Sequence, residues 1–168
     1  MRNSCRIRTM CEEDCKYFAI AFQNQGWNKP EAGFREYYFM HCCGGHTVLV
    51  AEWEGYPAGY LIVRPQAQQG PFAMQGIPEL ADFNVLMKYQ RRGIGNALMD
   101  EAEKLCQGVG YVSLAVGLHS GYGQAQKMYV KRGYLFDGSG VWYRGKQLAQ
   151  YALCRNDDDL VLYMKKEL

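Results

Sequence analysis

Gln90, Arg91, Arg92, Gly93, Ile94, Gly95 and Asn96 stand between an apolar, strand-like run at 83–86 and an amphipathic, helix-like run at 97–107. The chemistry they offer is anion binding. Two glycines let the backbone come close to a ligand, and the first N–H groups of a helix have no partner within it. The helix adds about half a positive charge at that end, and Arg91 and Arg92 can bring full charges to the mouth. A polyphosphate fits such a place.

Spacing separates the glycine loops that could explain this segment. A P-loop places a lysine directly after its second conserved glycine, and no lysine follows Gly95. A dinucleotide fingerprint needs glycine or alanine three residues beyond Gly95, where Leu98 stands, and an acidic strand end about twenty residues on, which is missing. What remains is Gln or Arg, two residues, Gly, one residue, then Gly or Ala, after a strand and opening a helix. Gln90, Gly93 and Gly95 fill it. The six positions alone could equally be a charged turn capping a surface helix; the whole run 84–99 narrows that choice.

Over that run the chain resembles the GNAT superfamily, the GCN5-related N-acetyltransferases, whose members hold the pyrophosphate of acetyl-CoA on this loop. Met87 departs from the pattern, since a proline is frequent there, but only backbone is needed at that point. The resemblance implies that Arg91, Arg92, Gly93, Ile94, Gly95 and Asn96, with Gln90, hold the pyrophosphate. It also implies that the backbone of Phe83 and Val85 pairs with the acetyl carbonyl and the pantetheine arm. A tyrosine in an A-x-x-x-Y-x-x-x-G-[FY] setting protonates the leaving thiolate; Ala125, Tyr129, Gly133 and Tyr134 reproduce it, so Tyr129 is the expected acid. Where the family often has an asparagine touching the pantetheine, this chain has Tyr122.

Direct transfer to an amine needs a base more than an acid. An amine with a pKa of about 10.4 loses its proton at neutral pH at a cost of about 4.6 kcal/mol, whereas a thiol near 8.5 is unfavourable as thiolate by only about 2 kcal/mol. Glu79 and Asp82 are the carboxylates at hand. They lie three apart, so in a regular strand they face opposite sides and one at most faces a cleft; Glu79 is the expected base. Relatives that work through a water wire leave both as solvated strand-end charges.

The elements that must carry these residues follow from periodicity. Strands are expected at 6–10, 47–53, 56–63, 79–86, 111–117, 134–143 and 160–165, and helices at 12–23, 31–42, 97–107 and 122–132. Glu54 and Gly55 signal a tight hairpin, and Gly108 to Gly110 a helix stop. The order βααβββαβαββ is an α/β (α+β) arrangement that resembles the GNAT fold: a mixed sheet of about seven strands, splayed at the acetyl-CoA site, with four helices. A polar stretch at 65–78 interrupts it.

A chain of 168 residues is read as one N-acetyltransferase domain over 1–168. Its net charge of +2 is dispersed, giving no footprint for nucleic acid, and no apolar run reaches membrane-spanning length. With no apolar signal core at the N-terminus, a cytoplasmic protein is expected, a monomer or homodimer. Seven cysteines make no even disulfide set. Cys11, Cys15, His41, Cys42, Cys43 and His46 could form a metal site, but adjacent Cys42 and Cys43 lack the spacing of zinc knuckles, and no metal is expected. The expected co-substrate is acetyl-CoA and the acceptor a primary amine of a small molecule or peptide. Trp27, Phe34, Tyr37, Tyr38 and Trp142 could line its pocket, or belong to the core; Asp157, Asp158 and Asp159 could attract a cationic acceptor, or form a solvated turn. A non-catalytic acyl-CoA-binding module of the same fold, or an enzyme for protein N-termini or lysines, are the alternatives.

Overall fold

The computed structural model describes residues 5–168, so the N-terminal reading of 1–4 lies outside it. The chain forms two compact units: Met1–Arg64 with Ala81–Leu105, and Pro65–Leu80 with Cys106–Leu168.

In the first unit β1 (Cys5–Thr9), α1 (Glu12–Asn24), α2 (Glu31–Cys42), β2 (Thr47–Trp53) and β3 (Tyr56–Arg64) follow the expected order. The unit continues with most of β4 (Glu79–Val85) and α3 (Ile94–Cys106). The strands run β1-β2-β3-β4, with β1–β2 and β2–β3 antiparallel. The β2–β3 turn has Glu54 at φ 52° and Gly55 at φ 86°, the two positive values of the hairpin turn whose twist matches its strands. Asp14 caps α1 by accepting from the Cys11 N–H at 2.9 Å and the Cys11 thiol at 3.3 Å, and it also accepts from Arg8 at 2.6 and 2.8 Å. Burial pushes that carboxyl up, but Arg8 and the cap outweigh it and hold it below its ordinary value.

Phe18, Phe22, Phe34, Val48, Val50, Tyr60, Ile62 and Leu86 make the core of this unit. Phe18, Phe22 and Phe34 stack, with ring centroids 5.7 Å apart for Phe18–Phe34 and 5.9 Å for Phe22–Phe34. Rings expected at 34 and 37 as core or pocket are thus core for Phe34, with Tyr37 packed on its edge. On α3, Ile94, Leu98, Met99 and Ala102 are buried, one apolar face at helical spacing.

The second unit holds β5 (Tyr111–Gly117), α4 (Gly123–Lys131), β6 (Leu135–Phe136), β7 (Trp142–Tyr143), β8 (Lys146–Gln147) and β9 (Leu160–Glu167). The start of β4 pairs in parallel with β5 at Glu79↔Ser113 and Leu80↔Leu114, and the ladder stops after those two pairs although both strands continue. β9 pairs antiparallel with β5, β6 and β7. The strand expected at 134–143 is therefore corrected to two short strands: Gly138 and Gly140, at φ 83° and 78°, turn the chain between them. β8 follows through Arg144 and Gly145, at φ 50° and 75°, a hairpin not anticipated. These changes make nine strands with four α-helices among the described residues. The stretch 65–78 is packed: Ala67, Phe72 and Ile77 form a cluster with Tyr163, which Trp142 meets edge-on.

Among the described residues no helix is long and apolar enough to cross a membrane, and no three His, Cys, Asp or Glu side chains converge as a metal site. Cys15 is buried, while Cys42 and Cys43 are exposed.

β3 approaches β4 closely where Gly59 stands. A Cβ there would lie 2.6 Å from the Asn84 carbonyl oxygen and 3.1 Å from the Val85 Cα, both backbone atoms that cannot turn aside. Gly59→Ala is expected to cost about 1–3 kcal/mol of stability by overpacking, read as a lower midpoint of urea unfolding at unchanged slope.

Candidate active site

The glycine loop follows a short 3-10 turn, Met87–Tyr89, fixed from outside. The Met87 N–H donates to Gln25 Oε1 at 3.1 Å, and Tyr17 hydrogen-bonds Tyr89, its own hydroxyl pushed up to about 12 chiefly by burial. Gln90 turns its side-chain amide back to the Val85 carbonyl at 3.1 Å, so this side chain anchors the loop to β4. Arg91 and Gly93 then take left-handed conformations at φ 58° and 80°. The Gly93 carbonyl accepts from the Ala97 N–H at 3.0 Å, the first bond of α3, which begins at Ile94, three residues earlier than periodicity indicated. Ile94 is buried, so it can offer a ligand only its backbone; Arg91, Arg92 and Asn96 are exposed. The Arg92 guanidinium lies over the Trp53 ring, 5.4 Å from its centroid. The first-turn N–H groups of a helix lack intrahelical partners, and here the arginines flank them.

Upstream in the same unit, Asp82 has φ 41° within β4. A left-handed aspartate breaks strand alternation, so the parity used to set Glu79 against Asp82 does not hold. Lys29 donates to both Asp82 oxygens at 2.8 and 3.1 Å, Tyr60 and Tyr37 donate at 2.7 and 2.8 Å, and Asn84 donates at 2.8 Å. Burial raises the Asp82 carboxyl, but Lys29 and these donors outweigh it, leaving it below its ordinary value. Lys29 also lies over the rings of Phe22 and Tyr60 at 5.7 and 5.9 Å. This cluster escaped the sequence reading; its one local signal was a lysine beside Pro30 in the α1–α2 link.

In the second unit Glu79 is buried at 7% exposure, at the start of β4 and near Tyr163. Tyr129, also 7% exposed, lies on α4 with its ring 5.7 Å from that of Tyr134. Burial, with Tyr122 adding, pushes the Tyr129 hydroxyl well above the usual tyrosine range. Tyr122 packs where β5 ends: a Cβ on Gly117 would fall 2.3 Å from its ring. Its hydroxyl donates to Asp158 at 3.0 Å. His119 Nδ1 accepts from the Gly121 N–H at 3.1 Å, which leaves Nε2 as the donor to Asp158 at 2.8 Å. His119 is thus a turn cap, with its Nδ1 lone pair engaged by the Gly121 N–H. Asp158 is engaged with this turn, Asp157 accepts from Tyr143 and Asp159 pairs with Arg144. The acidic run therefore has work in ordering the chain before β9.

Residues 8–134 match the acetyltransferase (GNAT) family. Among solved structures, the chain is similar to a ribosomal-protein-alanine N-acetyltransferase from Brucella melitensis at 20% identity and TM-score 0.70, over 97% of this chain and 99% of that one. It is similar to a GNAT-superfamily phosphinothricin acetyltransferase from Sinorhizobium meliloti, solved with acetyl-CoA, at 14% identity and TM-score 0.70, over 98% and 88%. The ribosomal-protein-S18-alanine N-acetyltransferase from Escherichia coli is similar at 18% identity and TM-score 0.67, over 98% and 94%. At these identities the likeness is one of fold. No curated protein matches the chain significantly.

Tyr17, Tyr37, Tyr60 and Tyr129 all hold their protons above the ordinary tyrosine value. A folded pKa above the unfolded one of about 10 gives stability that is present below pH 10 and lost as pH rises past it. Near-ultraviolet titration should show these four ionising late, together with alkaline unfolding; their ionisation with the exposed tyrosines in a still-folded protein would contradict the burial.

Proposed function

Because the chain belongs to the acetyltransferase (GNAT) family, we propose that it is an acetyl-CoA-dependent N-acetyltransferase, acting as one domain over 1–168 on a primary amine of a small molecule or peptide. The observation that carries this reading is the loop at 90–96. Arg91 and Gly93 are left-handed, the Gly93 carbonyl starts α3, and two exposed arginines flank the helix start. These features support a seat for the pyrophosphate of coenzyme A, and the proposed partners of the pantetheine arm are the neighbouring backbone groups of Phe83 and Val85. The family match takes residues from both units, which supports treating them as one catalytic domain.

In the proposed reaction the amine nitrogen attacks the thioester carbonyl carbon, the C–S bond breaks, and coenzyme A leaves as thiolate. Glu79 takes the proton that the nitrogen must lose, directly or through water. Tyr129 faces a thermodynamic constraint. A phenol held above its ordinary pKa of about 10 yields its proton reluctantly to a thiolate near 8.5. Its first contribution is therefore a hydrogen bond to the developing thiolate, and the proton passes to sulfur only if that sulfur is desolvated as the phenol is.

Tyr129→Phe is expected to lower kcat about a hundredfold with acetyl-CoA affinity unchanged, measured by mass-spectrometric product formation over a panel of amines and by calorimetry. Glu79→Gln should lower kcat about tenfold to a hundredfold, and an unchanged kcat would leave water as the base. Arg92→Ala should weaken acetyl-CoA about three- to tenfold. An unchanged affinity would assign Arg92 to Trp53 alone.

A further inference from the structure

Asp82 is a left-handed, non-glycine residue inside a strand, a conformation that persists only where the surroundings over-determine it, and such residues gather at functional sites. The surroundings here are four side chains from four places: Lys29 from the α1–α2 link, Tyr37 from α2, Tyr60 from β3 and Asn84 from β4 itself. Together they donate five hydrogen bonds to a carboxylate that offers about four lone-pair positions. An anion so saturated, with a lysine ammonium on both oxygens, has no room to accept a proton from an amine. It is not a base.

Its effect falls on the backbone. A left-handed residue turns the next peptide planes away from the course of a regular strand, and the residues that follow are Phe83, Asn84 and Val85. The far end of that segment is also held, since Gln90 donates to the Val85 carbonyl at 3.1 Å. Residues 83–85 are thus clamped between the Asp82 carboxylate and the head of the glycine loop. We propose that Asp82 is a positioning residue for the thioester arm of acetyl-CoA: its carboxylate holds the kink that aims the peptide groups of 83–85 at the ligand. This rests on the acetyl-transfer reading and adds a residue to it.

The test compares two probes, acetyl-CoA and the adenosine nucleotide half of coenzyme A, by calorimetry on the full chain. Asp82→Asn keeps the size and the tolerance of a left-handed backbone but loses the charge and one acceptor. Tyr37→Phe removes one hydrogen bond from a half-buried edge and keeps the protein testable where Asp82→Asn does not fold. The expected result is a loss of acetyl-CoA affinity of about tenfold for Asp82→Asn and about threefold for Tyr37→Phe, with the nucleotide half bound as by the wild type. Equal loss for both probes would make the cluster merely structural, and no loss for either would make it irrelevant to the arm; each overturns the proposal. A wild-type chain that binds neither probe would overturn the acetyl-CoA reading itself.

Discussion

An anion cradle made of backbone has one constraint: the N–H groups meant for the ligand must not be used to hold the cradle in shape. In this chain the loop before α3 is held by other atoms. Gln25 accepts from the Met87 N–H, the Tyr17 hydroxyl meets that of Tyr89, and the Gln90 side chain reaches the Val85 carbonyl. Each contact lies before Gly93, and the left-handed Arg91 and Gly93 turn the chain into the start of α3. The aromatic core of Phe18, Phe22 and Phe34 serves this end by fixing α1, from which Tyr17 and, just beyond its end, Gln25 reach the loop.

The loop was legible because everything that defines it is local. Two glycines two apart, a polar residue three before the first, and a 3.6-residue apolar rhythm at Leu98, Met99 and Ala102 need no knowledge of distant contacts. The β2–β3 hairpin was legible for the same reason, since Glu54 and Gly55 accept the backbone that a two-residue turn demands. Helical spacing left Phe34 open between pocket and core, and its packing on Phe18 and Phe22 makes it core.

The Asp82 cluster was not legible. Lys29 and Asp82 are 53 residues apart, and no periodicity links them. The parity rule that separated Glu79 from Asp82 assumes a regular strand, which one left-handed residue defeats. Gln90 adds a contact that its place in the motif does not signal: its side-chain amide meets the Val85 carbonyl that the fold brings to it. The segment 134–143 shows a further limit, because residues with strand propensity were read across Gly138 and Gly140, whose left-handed backbone sends them into separate short strands.

The contact between Gly117 and Tyr122 carries a consequence for how this chain can diverge. The tyrosine ring fills the volume that any side chain at 117 would need, at 2.3 Å from the place of its Cβ. A side chain at 117 therefore has to displace the Tyr122 ring, and with it the hydroxyl bond to Asp158 that ties this turn to the chain before β9. The two positions are thus coupled in volume: what is added at 117 must be given up at 122 or absorbed by movement of its ring.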